Sequence, residues 1–329
     1  MGSTPGRAPA VAAAALLLAL AAPATASAAP AAGTAEPQLL VEGLAGGSGS
    51  TVGPGGDLYV TEPVSGDLTR VDRRTGEATT VADCLPERVL PPDDTGGAMD
   101  VAFQGRTAYV LVTLVGPDVG GDDVVGLYRV DAPDTCTVVA DIGAWSLENP
   151  PETDFFVPTG VQYALEAVHG GFLVTDGHHN RVLHVTSDGG ITEVLTLGNV
   201  VPTGLAAHGR SVLVALAGPV PHEPATGRVL AFRPGDEDVR EVASGGRLLV
   251  DVERGPGGVY ALSQGVFTPG NPEGSPADPD TGQLLRATRD GGFELVAEPL
   301  DRPTSMEVVG RTAYVVTLDG EIWTVGLRG

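Results

Sequence analysis

Short apolar runs, each bounded by a tight polar turn, dominate the chain from residue 38 onward. The clearest case is residues 173–185, LVTDGHHNRVLHV, where two apolar runs flank a polar turn. A run, a turn and a second run predict a β-hairpin. Beyond the N-terminal segment, no long stretch carries an apolar stripe at helical spacing. The pattern therefore predicts an all-β chain.

The same order of elements recurs six times along the chain. Each copy opens with a strand that begins on a small or polar residue, and Gly-rich turns and polar loops join three further strands. The copies begin near Gly49, Gly97, Val157, Val201, Leu248 and Arg302. Four-stranded units of about 40–50 residues in such a series predict a β-propeller. We expect six blades of four antiparallel strands. Seven blades is the main competing count, and a sandwich or barrel is the other alternative.

The two ends of the repeat predict how the ring closes. The sixth copy stops one strand short, at Gly329, whereas a spare strand, QLLVEGL at residues 38–44, precedes the first copy. The spare strand resembles the fourth strands of the other copies. We therefore expect it to complete the last blade by pairing with residues 321–327, which removes an open sheet edge.

The N-terminus has the features of a secretory signal peptide. Arg7 precedes an apolar run at residues 10–22, and Ala26 and Ala28 form a small-residue A-x-A site. The run is shorter than the ~20 residues that a membrane span needs, although an uncleaved anchor is the alternative. The sequence predicts a signal peptide at 1–28, a flexible lead-in at 29–37, and one propeller domain at 38–329. It predicts a secreted protein without a membrane span.

Charge narrows the choice of partners. The formal net charge is -23, and every basic side chain other than histidine is an arginine. A surface this acidic repels phosphate backbones, so nucleic-acid binding is disfavoured. The charge predicts a well-hydrated exported protein, expected to be a monomer, and a cation-binding surface is the alternative.

The chain contains two cysteines, Cys84 and Cys136. An oxidising compartment permits a disulfide. However, Cys84 ends one fourth strand and Cys136 begins the next, and parallel fourth strands place such ends about 23 Å apart along the strand direction. A bridge needs Cα atoms within about 7 Å, so we expect none.

The long connections all belong to two classes that share one face of a propeller, namely the loops between blades and those joining second to third strands. Long loops without structure of their own are usually functional or disordered. We therefore expect the functional pocket on this face, although harmless drift of insertions is the alternative. The long loops are residues 85–97, 114–125, 143–156, 217–227 and 265–282.

First strands line the channel of a propeller, and aligning the copies selects a few polar positions there. Asp100 and Asp251 fall in blades two and five, which face each other across a six-bladed ring, and could hold Ca²⁺. The alternative is that these groups bind channel water and neighbouring amides. The aligned positions are Ser50, Asp100, Gly160, Gly204, Asp251 and Ser305, with Thr159, Thr203 and Thr304 preceding three of them.

Histidines cluster on the same predicted face. His178 lies in the hairpin turn, and His222 lies beside Glu223 in PVPHEP. A histidine paired with a carboxylate can act as a general base, so these three residues are the catalytic candidates. Solvated loop residues are the alternative. The predicted ligand site comprises Asp100, Thr159, Thr203, Asp251 and Thr304 on the floor, with His178 and His222 on the rim.

The hairpin TDGHHNRVLHV resembles the NHL repeat through Asp176, Asn180, Arg181 and Val182. Asp176 and Asn180 can hydrogen-bond the loop backbone, and Arg181 can pair with a carboxylate across the blade. Most of the mature chain further resembles the ScyD/ScyE family of exported NHL-type propellers, which implies the fold rather than any defined activity. The resembling segments include GGAMDVAF, TAYVLVTLVGPDVGG, ENPPETDFFVPTGVQYAL, AGPVPHEP, LVDVE, NPEGSPA and AYVVTLDGEIW.

Two functions stay open at this point. The first is a secreted protein that binds a small molecule or a protein partner on the long-loop face without turnover. The second is a metal-assisted hydrolase, lactonase or lyase at the channel mouth. In gluconolactonase-like propellers a PNG motif supplies an asparagine ligand, whereas this chain has PTG at residues 158–160 and 202–204. Threonine is a poorer metal ligand, so this departure weakens the second hypothesis.

Overall fold

The computed structural model describes residues 1–2, 34–91, 94–154, 157–236, 238–271 and 275–328. The predicted signal peptide and the start of the lead-in lie outside the described residues. Every statement below concerns the described ranges.

Twenty-four strands form six separate sheets, each of four antiparallel strands, and so confirm the six-bladed propeller. The strands are numbered in chain order, and in blades 1 to 5 the innermost strand precedes the other three. The innermost strands are β2 (Ser50–Val52), β6 (Gly97–Gln104), β10 (Gln162–Val168), β14 (Pro202–His208), β18 (Leu249–Gly255) and β22 (Pro303–Val309). The second strands are β3 (Leu58–Glu62), β7 (Thr107–Thr113), β11 (Gly171–Asp176), β15 (Ser211–Leu216), β19 (Gly258–Ser263) and β23 (Thr312–Thr317).

The outer half of each blade follows the same order. The third strands are β4 (Asp67–Val71), β8 (Gly126–Ala132), β12 (Arg181–Val185), β16 (Gly227–Phe232), β20 (Gly282–Ala287) and β24 (Ile322–Gly326). The outermost strands are β5 (Ala78–Ala82), β9 (Thr135–Asp141), β13 (Ile191–Thr196), β17 (Arg240–Gly246), β21 (Phe293–Leu300) and β1 (Gln38–Val41). Blades 1 to 5 therefore run from β2 to β21 in order, and blade 6 combines β22–β24 with β1.

The hydrophobic core is divided among the spaces between neighbouring blades. Buried apolar side chains form six clusters, and each cluster takes residues from two adjacent blades. Leu183 of blade 3, for example, packs with Leu111 and Leu127 of blade 2. Burial of this apolar surface is what holds the blades together, because no backbone ladder joins one sheet to the next.

The spare N-terminal strand closes the ring as the sequence predicts. β1 pairs antiparallel with β24, with Gln38 opposite Thr324 and Leu39 opposite Trp323. Val41 is buried in the cluster between blades 6 and 1. Before β1, the Ala35 amide donates to the Val296 carbonyl of blade 5 at 2.8 Å. The last blade thus contains both ends of the propeller.

The expectation that the two cysteines stay apart is wrong: Cys84 and Cys136 form a disulfide, with Cα atoms 5.6 Å apart. Each strand in a sheet is rotated by about 20–25° from its neighbour, so three steps turn the outermost strand by roughly 60–75°. Outermost strands therefore run around the ring, and the end of one meets the start of the next. The Asp83 amide accordingly donates to the Pro133 carbonyl at 2.8 Å.

A short helix lies among the long loops. Within the described ranges the single α-helix, α1 (Ile142–Glu148), follows β9, and the Asp141 side chain caps it by accepting from the Ala144 amide at 2.7 Å. None of the described helices has the length and apolar character required to cross a membrane.

Candidate functional site

A pocket opens where the innermost strands begin, on the face that carries the long loops. Its cavity volume is about 130 Å³, and about 1040 Å³ of space, part of it open solvent, lies between its walls. Arg88 and Thr95 come from one long loop, His222 from a second, and Pro276 from a third. The loops surround the pocket, and the first strands form its floor.

Four of the five predicted floor residues lie together in this pocket. Asp100, Thr203, Asp251 and Thr304 all line it, and so do the predicted rim residues His178 and His222. Whether these residues bind a ligand stays a prediction. Glu223, the third catalytic candidate, is exposed and lines an adjoining hollow with His222 instead.

Thr159 does not line the pocket, because the register of blade 3 differs from the alignment of the copies. Val168 pairs with Gly171 at the first turn of blade 3, as Gln104 pairs with Thr107 in blade 2. Counting back from these turns places Ala164 level with Asp100. Thr159 lies before the strand, where its hydroxyl donates to Asp118 at 2.6 Å.

Tyr163 and Ala164 therefore take the positions that the alignment gave to Thr159 and Gly160. Gly160 instead abuts the side chain of Asp176, and a Cβ at Gly160 would come within 2.2 Å of the Asp176 carboxylate. The PTG sequence shared by blades 3 and 4 was misleading, and the spacing from the following turn was the usable signal.

The floor carboxylates are bound by backbone amides. Asp100 accepts from the Val101 amide at 2.8 Å and from the Leu165 amide of blade 3 at 2.7 Å. Asp251 does the same with Val252 at 2.8 Å and Met306 of blade 6 at 2.7 Å. Each aspartate uses both oxygens and joins its own blade to the next. Whether either residue binds a metal ion stays a prediction.

Threonine hydroxyls bind the carbonyl groups at the same inner edges. Thr203 of blade 4 donates to the Leu249 carbonyl of blade 5 at 2.9 Å, and Thr304 of blade 6 donates to the Gly47 carbonyl near blade 1 at 3.2 Å. Innermost strands have an unpaired edge that faces the channel, and these side chains satisfy its polar groups. The floor of the pocket is thus also the connection between blades.

Glycines make room for the two aspartates. A Cβ at Gly49 would lie 2.2 Å from an Asp100 oxygen, and one at Gly204 would lie 2.3 Å from an Asp251 oxygen. Real Cβ atoms do not approach so closely, so a side chain at either position would displace the carboxylate.

Three glutamates line the channel below the floor, and the sequence analysis missed them. They are Glu166, Glu253 and Glu307, on the innermost strands of blades 3, 5 and 6. Glu253 and Glu307 each follow a floor position by two residues, and side chains alternate along a strand, so this spacing was an available signal. Glu166 accepts from the Ala207 amide of blade 4 at 3.0 Å.

Burial dominates the ionisation of these five carboxyl groups. It raises the pKa of Asp251 to about 7 against the opposing pull of the Met306 and Val252 amides. It raises the pKa of Glu166 also to about 7. For Asp100, Glu253 and Glu307, burial first and the neighbouring carboxylates in addition raise the pKa well above its ordinary value. All five residues are half-buried.

His178 leans over the pocket beside an aromatic hydroxyl. Its Nε2 lies 3.2 Å from the Tyr163 hydroxyl. Burial, with the nearby His222, lowers the pKa of His178 to about 4, so its imidazole is neutral at pH 7. His222 stacks edge-on against Phe267, with ring centroids 5.4 Å apart. The rim therefore offers neutral imidazole and aromatic surface.

The adjacent His179 points away from the pocket into a buried polar cluster. The His179 Nδ1 lies 3.0 Å from the Asp176 carboxylate. The same carboxylate accepts hydrogen bonds from Arg181 Nε at 2.8 Å and from the side-chain amide of Gln162 at 3.0 Å. Arg181 packs over the Trp145 ring and donates to the Asn149 carbonyl at 2.7 Å. Asp176 and Arg181, two of the residues that resemble the NHL repeat, thus connect the loop around α1 to blade 3.

Among the described residues, no group of three or more His, Cys, Asp or Glu side chains is arranged to hold a metal ion. The Ca²⁺ site predicted at Asp100 and Asp251 is not part of such a group, and cation binding there stays a prediction.

Comparison with known proteins supports the fold. No protein-family model and no curated protein sequence matches the chain. A gluconolactonase from Xanthomonas campestris is similar over 89% of this chain and 89% of its own, with 14% identity and a TM-score of 0.59. The PQQ-bound form of an aldose sugar dehydrogenase from Streptomyces coelicolor is similar over 89% and 98%, with 14% identity and a TM-score of 0.56.

A virginiamycin B lyase from Staphylococcus aureus is similar over 90% of this chain and 99% of its own, with 13% identity and a TM-score of 0.50. At such identities the likeness concerns the fold alone. The chain is a six-bladed propeller whose structural neighbours include gluconolactonases and sugar dehydrogenases.

Proposed function

We propose that this protein binds a small, hydroxyl-rich ligand in the pocket under the long loops and releases it unchanged. The observation that carries the proposal is the composition of the pocket. Its floor presents carboxyl and hydroxyl groups, while Met99, Val250 and Leu318 supply apolar surface on its walls. A few polar groups set among apolar walls are typical of small-molecule sites.

The chemistry of the floor suits a sugar or a sugar lactone. A carboxyl group with a pKa near 7, such as that of Asp251, both donates and accepts hydrogen bonds around neutral pH. Ligand hydroxyls also donate and accept, so the two match. The gluconolactonase and the sugar dehydrogenase that share this fold guide the choice of probes.

We also propose that the protein is exported from the cell. The signal-peptide pattern at residues 1–28 supports a secreted protein, and the segments quoted above support a place among the ScyD/ScyE-type propellers. We further propose that it acts as a monomer, with closure of the ring supplied by its own β1.

A metal-assisted hydrolase, lactonase or lyase is the second candidate. The contact between His178 and Tyr163 over the floor favours it, since a histidine there can take a proton from a bound ligand. However, a base with a pKa of about 4 lies about three units below neutral pH and accepts protons poorly. Binding without turnover is therefore the better account.

The test uses glucose and gluconolactone as probes with the mature protein. We expect each probe to raise the melting temperature and to give saturable heat in calorimetry. Leu318→Trp places an indole ring in the pocket, so we expect it to abolish both effects, whereas Val239→Trp, on the exposed surface, should preserve them. Binding that survives Leu318→Trp, or no binding of either probe, contradicts the proposal.

Turnover is followed in the same samples. We expect gluconolactone to open at its spontaneous rate, with or without added calcium or manganese. Opening above that rate, lost in His178→Gln, would establish the second candidate instead.

A further inference from the structure

The pocket continues sideways into the adjoining hollow that Glu223 lines, which we name the side hollow. The two spaces adjoin because they share three lining residues, Ala217, His222 and Leu248. The cavity volume of the side hollow is about 210 Å³, against about 130 Å³ for the pocket. A ligand that stops at the pocket therefore leaves the larger of the two cavities unfilled.

Two long loops and one connection between blades form the side hollow. Residues 217–227 join β15 to β16 in blade 4, and residues 265–282 join β19 to β20 in blade 5. Arg247 lies between β17 and β18, where the chain passes from blade 4 to blade 5. The side hollow thus lies over the boundary of these two blades, on the face that carries the long loops.

Hydrogen bonds hold one wall of the side hollow in place. The Val266 amide donates to the Thr281 hydroxyl at 2.9 Å, and the Val266 carbonyl accepts from the Asp278 amide at 2.8 Å. Phe267 follows Val266 directly, so its aromatic ring projects from an anchored backbone. The wall is therefore pre-formed, as is usual in small-molecule sites.

The side hollow combines an aromatic ring with two exposed side chains of opposite charge. Phe267 lies edge-on against His222, with ring centroids 5.4 Å apart. The Glu223 carboxylate can accept hydrogen bonds and the Arg247 guanidinium can donate them. Within the described ranges, hydrogen bonds reach the main-chain carbonyls of both residues but not their charged ends. Both kinds of hydrogen-bonding group are thus available beside an apolar surface.

A second sugar ring matches this composition. A pyranose carries C–H groups on the faces of its ring and hydroxyl groups around its edge. The C–H groups can pack on Phe267, which removes apolar surface from water, and the hydroxyl groups can reach Glu223 and Arg247. A purely apolar group would fill the same space but would bring no partner for either charge.

We propose that the ligand is a disaccharide, with one sugar ring in the pocket and the second ring in the side hollow. This inference rests on the proposed function, because it requires that the pocket binds a sugar. The bond between the rings passes His222, which lines both spaces. Phe267, Glu223 and Arg247 then select a ligand of two rings over a single ring.

Calorimetry with the mature protein compares glucose with maltose and cellobiose, which add a second glucose ring through an α and a β linkage. We expect one of the two disaccharides to bind about tenfold more tightly than glucose, because the added ring buries further apolar surface. If glucose binds and neither disaccharide binds more tightly, this inference is overturned while the proposed function stands. If none of the three sugars binds, the proposed function fails, and this inference fails with it.

The quantity compared among variants is the ratio of the dissociation constant for glucose to that for the preferred disaccharide. Phe267→Ala removes the surface on which the second ring packs, so this ratio should fall to within about twofold of one. Phe293→Ala is the matched control, because the same substitution is made at the start of β21, next to a turn on the opposite face. It should keep the wild-type ratio, and an unchanged ratio in Phe267→Ala overturns the inference.

Arg247→Met tests the placement of the second ring and changes an exposed residue, so the fold should be preserved. Phe267 also lines a further hollow with Val220 and Pro269, whereas Arg247 belongs to the side hollow. We expect the ratio to fall about threefold, as for the loss of one hydrogen bond. A ratio that Arg247→Met leaves unchanged overturns the placement. Phenyl β-glucoside that binds as tightly as the disaccharide would overturn the assignment of a sugar to the side hollow.

Discussion

The hairpin of blade 3 and the central channel both keep charged side chains out of bulk water, yet they do so in opposite ways. In the hairpin, Asp176 receives hydrogen bonds from Arg181 and Gln162, and Arg181 has further acceptors in the α1 loop. In the channel, carboxyl groups face other carboxyl groups. A buried charge must be paired or neutralised. The hairpin pairs its charges, whereas the channel favours neutral carboxyl groups.

The hairpin of blade 3 is a fixed anchor for its loop, whereas the carboxyl groups of the channel respond to pH. The Arg181 guanidinium donates to Asp176, to the Asn149 carbonyl and to the Ser146 hydroxyl, so direct hydrogen bonds hold the loop around α1 on the hairpin. In the channel, burial raises the pKa of Asp251 and of Glu166 to about 7, and Asp251 also lines the proposed ligand pocket. Asp251 therefore combines a blade-to-blade contact with a place in that pocket.

Removal of Arg181 should have the largest effect. Arg181→Met leaves Asp176 buried without its guanidinium partner and releases the α1 loop, and breaking a buried pair typically costs about 3–5 kcal/mol. Denaturant unfolding measures the loss. Arg240→Met, on an exposed strand, should stay within about 0.5 kcal/mol of the wild type. A loss below about 1 kcal/mol in Arg181→Met would show that the hairpin does not depend on this pair.

Equivalent aspartate substitutions should differ between the two regions. Asp176→Asn weakens the partner of a fully buried arginine, so we expect about 3 kcal/mol of destabilisation. Asp251→Asn loses one of two amide hydrogen bonds but also removes a repelled charge, so we expect about 1 kcal/mol near neutral pH. Denaturant unfolding at one pH measures the free energy of unfolding of both variants. Equal losses in the two variants would contradict the difference between the hairpin and the channel.

Salt should produce the smallest effect, and only through the channel. Ions that enter the channel screen its carboxylates, so added sodium chloride should raise the melting temperature slightly at about pH 8.5. The rise should shrink in the Glu253→Gln, Glu307→Gln double variant and persist in Glu241→Gln, the control on the exposed outermost strand of blade 4. A rise of the same size in the double variant would place the repelling charges elsewhere.

The fold was predictable because its signals are local and repeated. Alternating apolar runs, turn residues and a missing last strand with a spare copy at the front define the blades and their closure. The one-sided long loops also predicted where the pocket opens. The disulfide between Cys84 and Cys136 was not predictable in this way, because it depends on the accumulated twist of whole blades.

The site was only partly predictable, since register decides which side chains reach the channel. Asp100 and Asp251 follow from aligned strand starts, whereas Thr159 was misplaced because an identical PTG segment occupies a different register in blade 3. Glu166, Glu253 and Glu307 look like ordinary polar strand positions in the sequence, and their proximity appears only when blades 3, 5 and 6 bring them together. Tyr163 was missed for the same reason.

The most direct test asks whether the channel carboxyl groups are neutral in the folded protein. Infrared spectroscopy at about pH 6.5 distinguishes the C=O stretch of a protonated carboxyl group from that of a carboxylate, and ordinary aspartates and glutamates are ionised at this pH. The account predicts a protonated band in the wild type that weakens in the Glu253→Gln, Glu307→Gln double variant and not in Glu241→Gln. A folded wild-type protein without that band, or with a band that the double variant leaves unchanged, would contradict it.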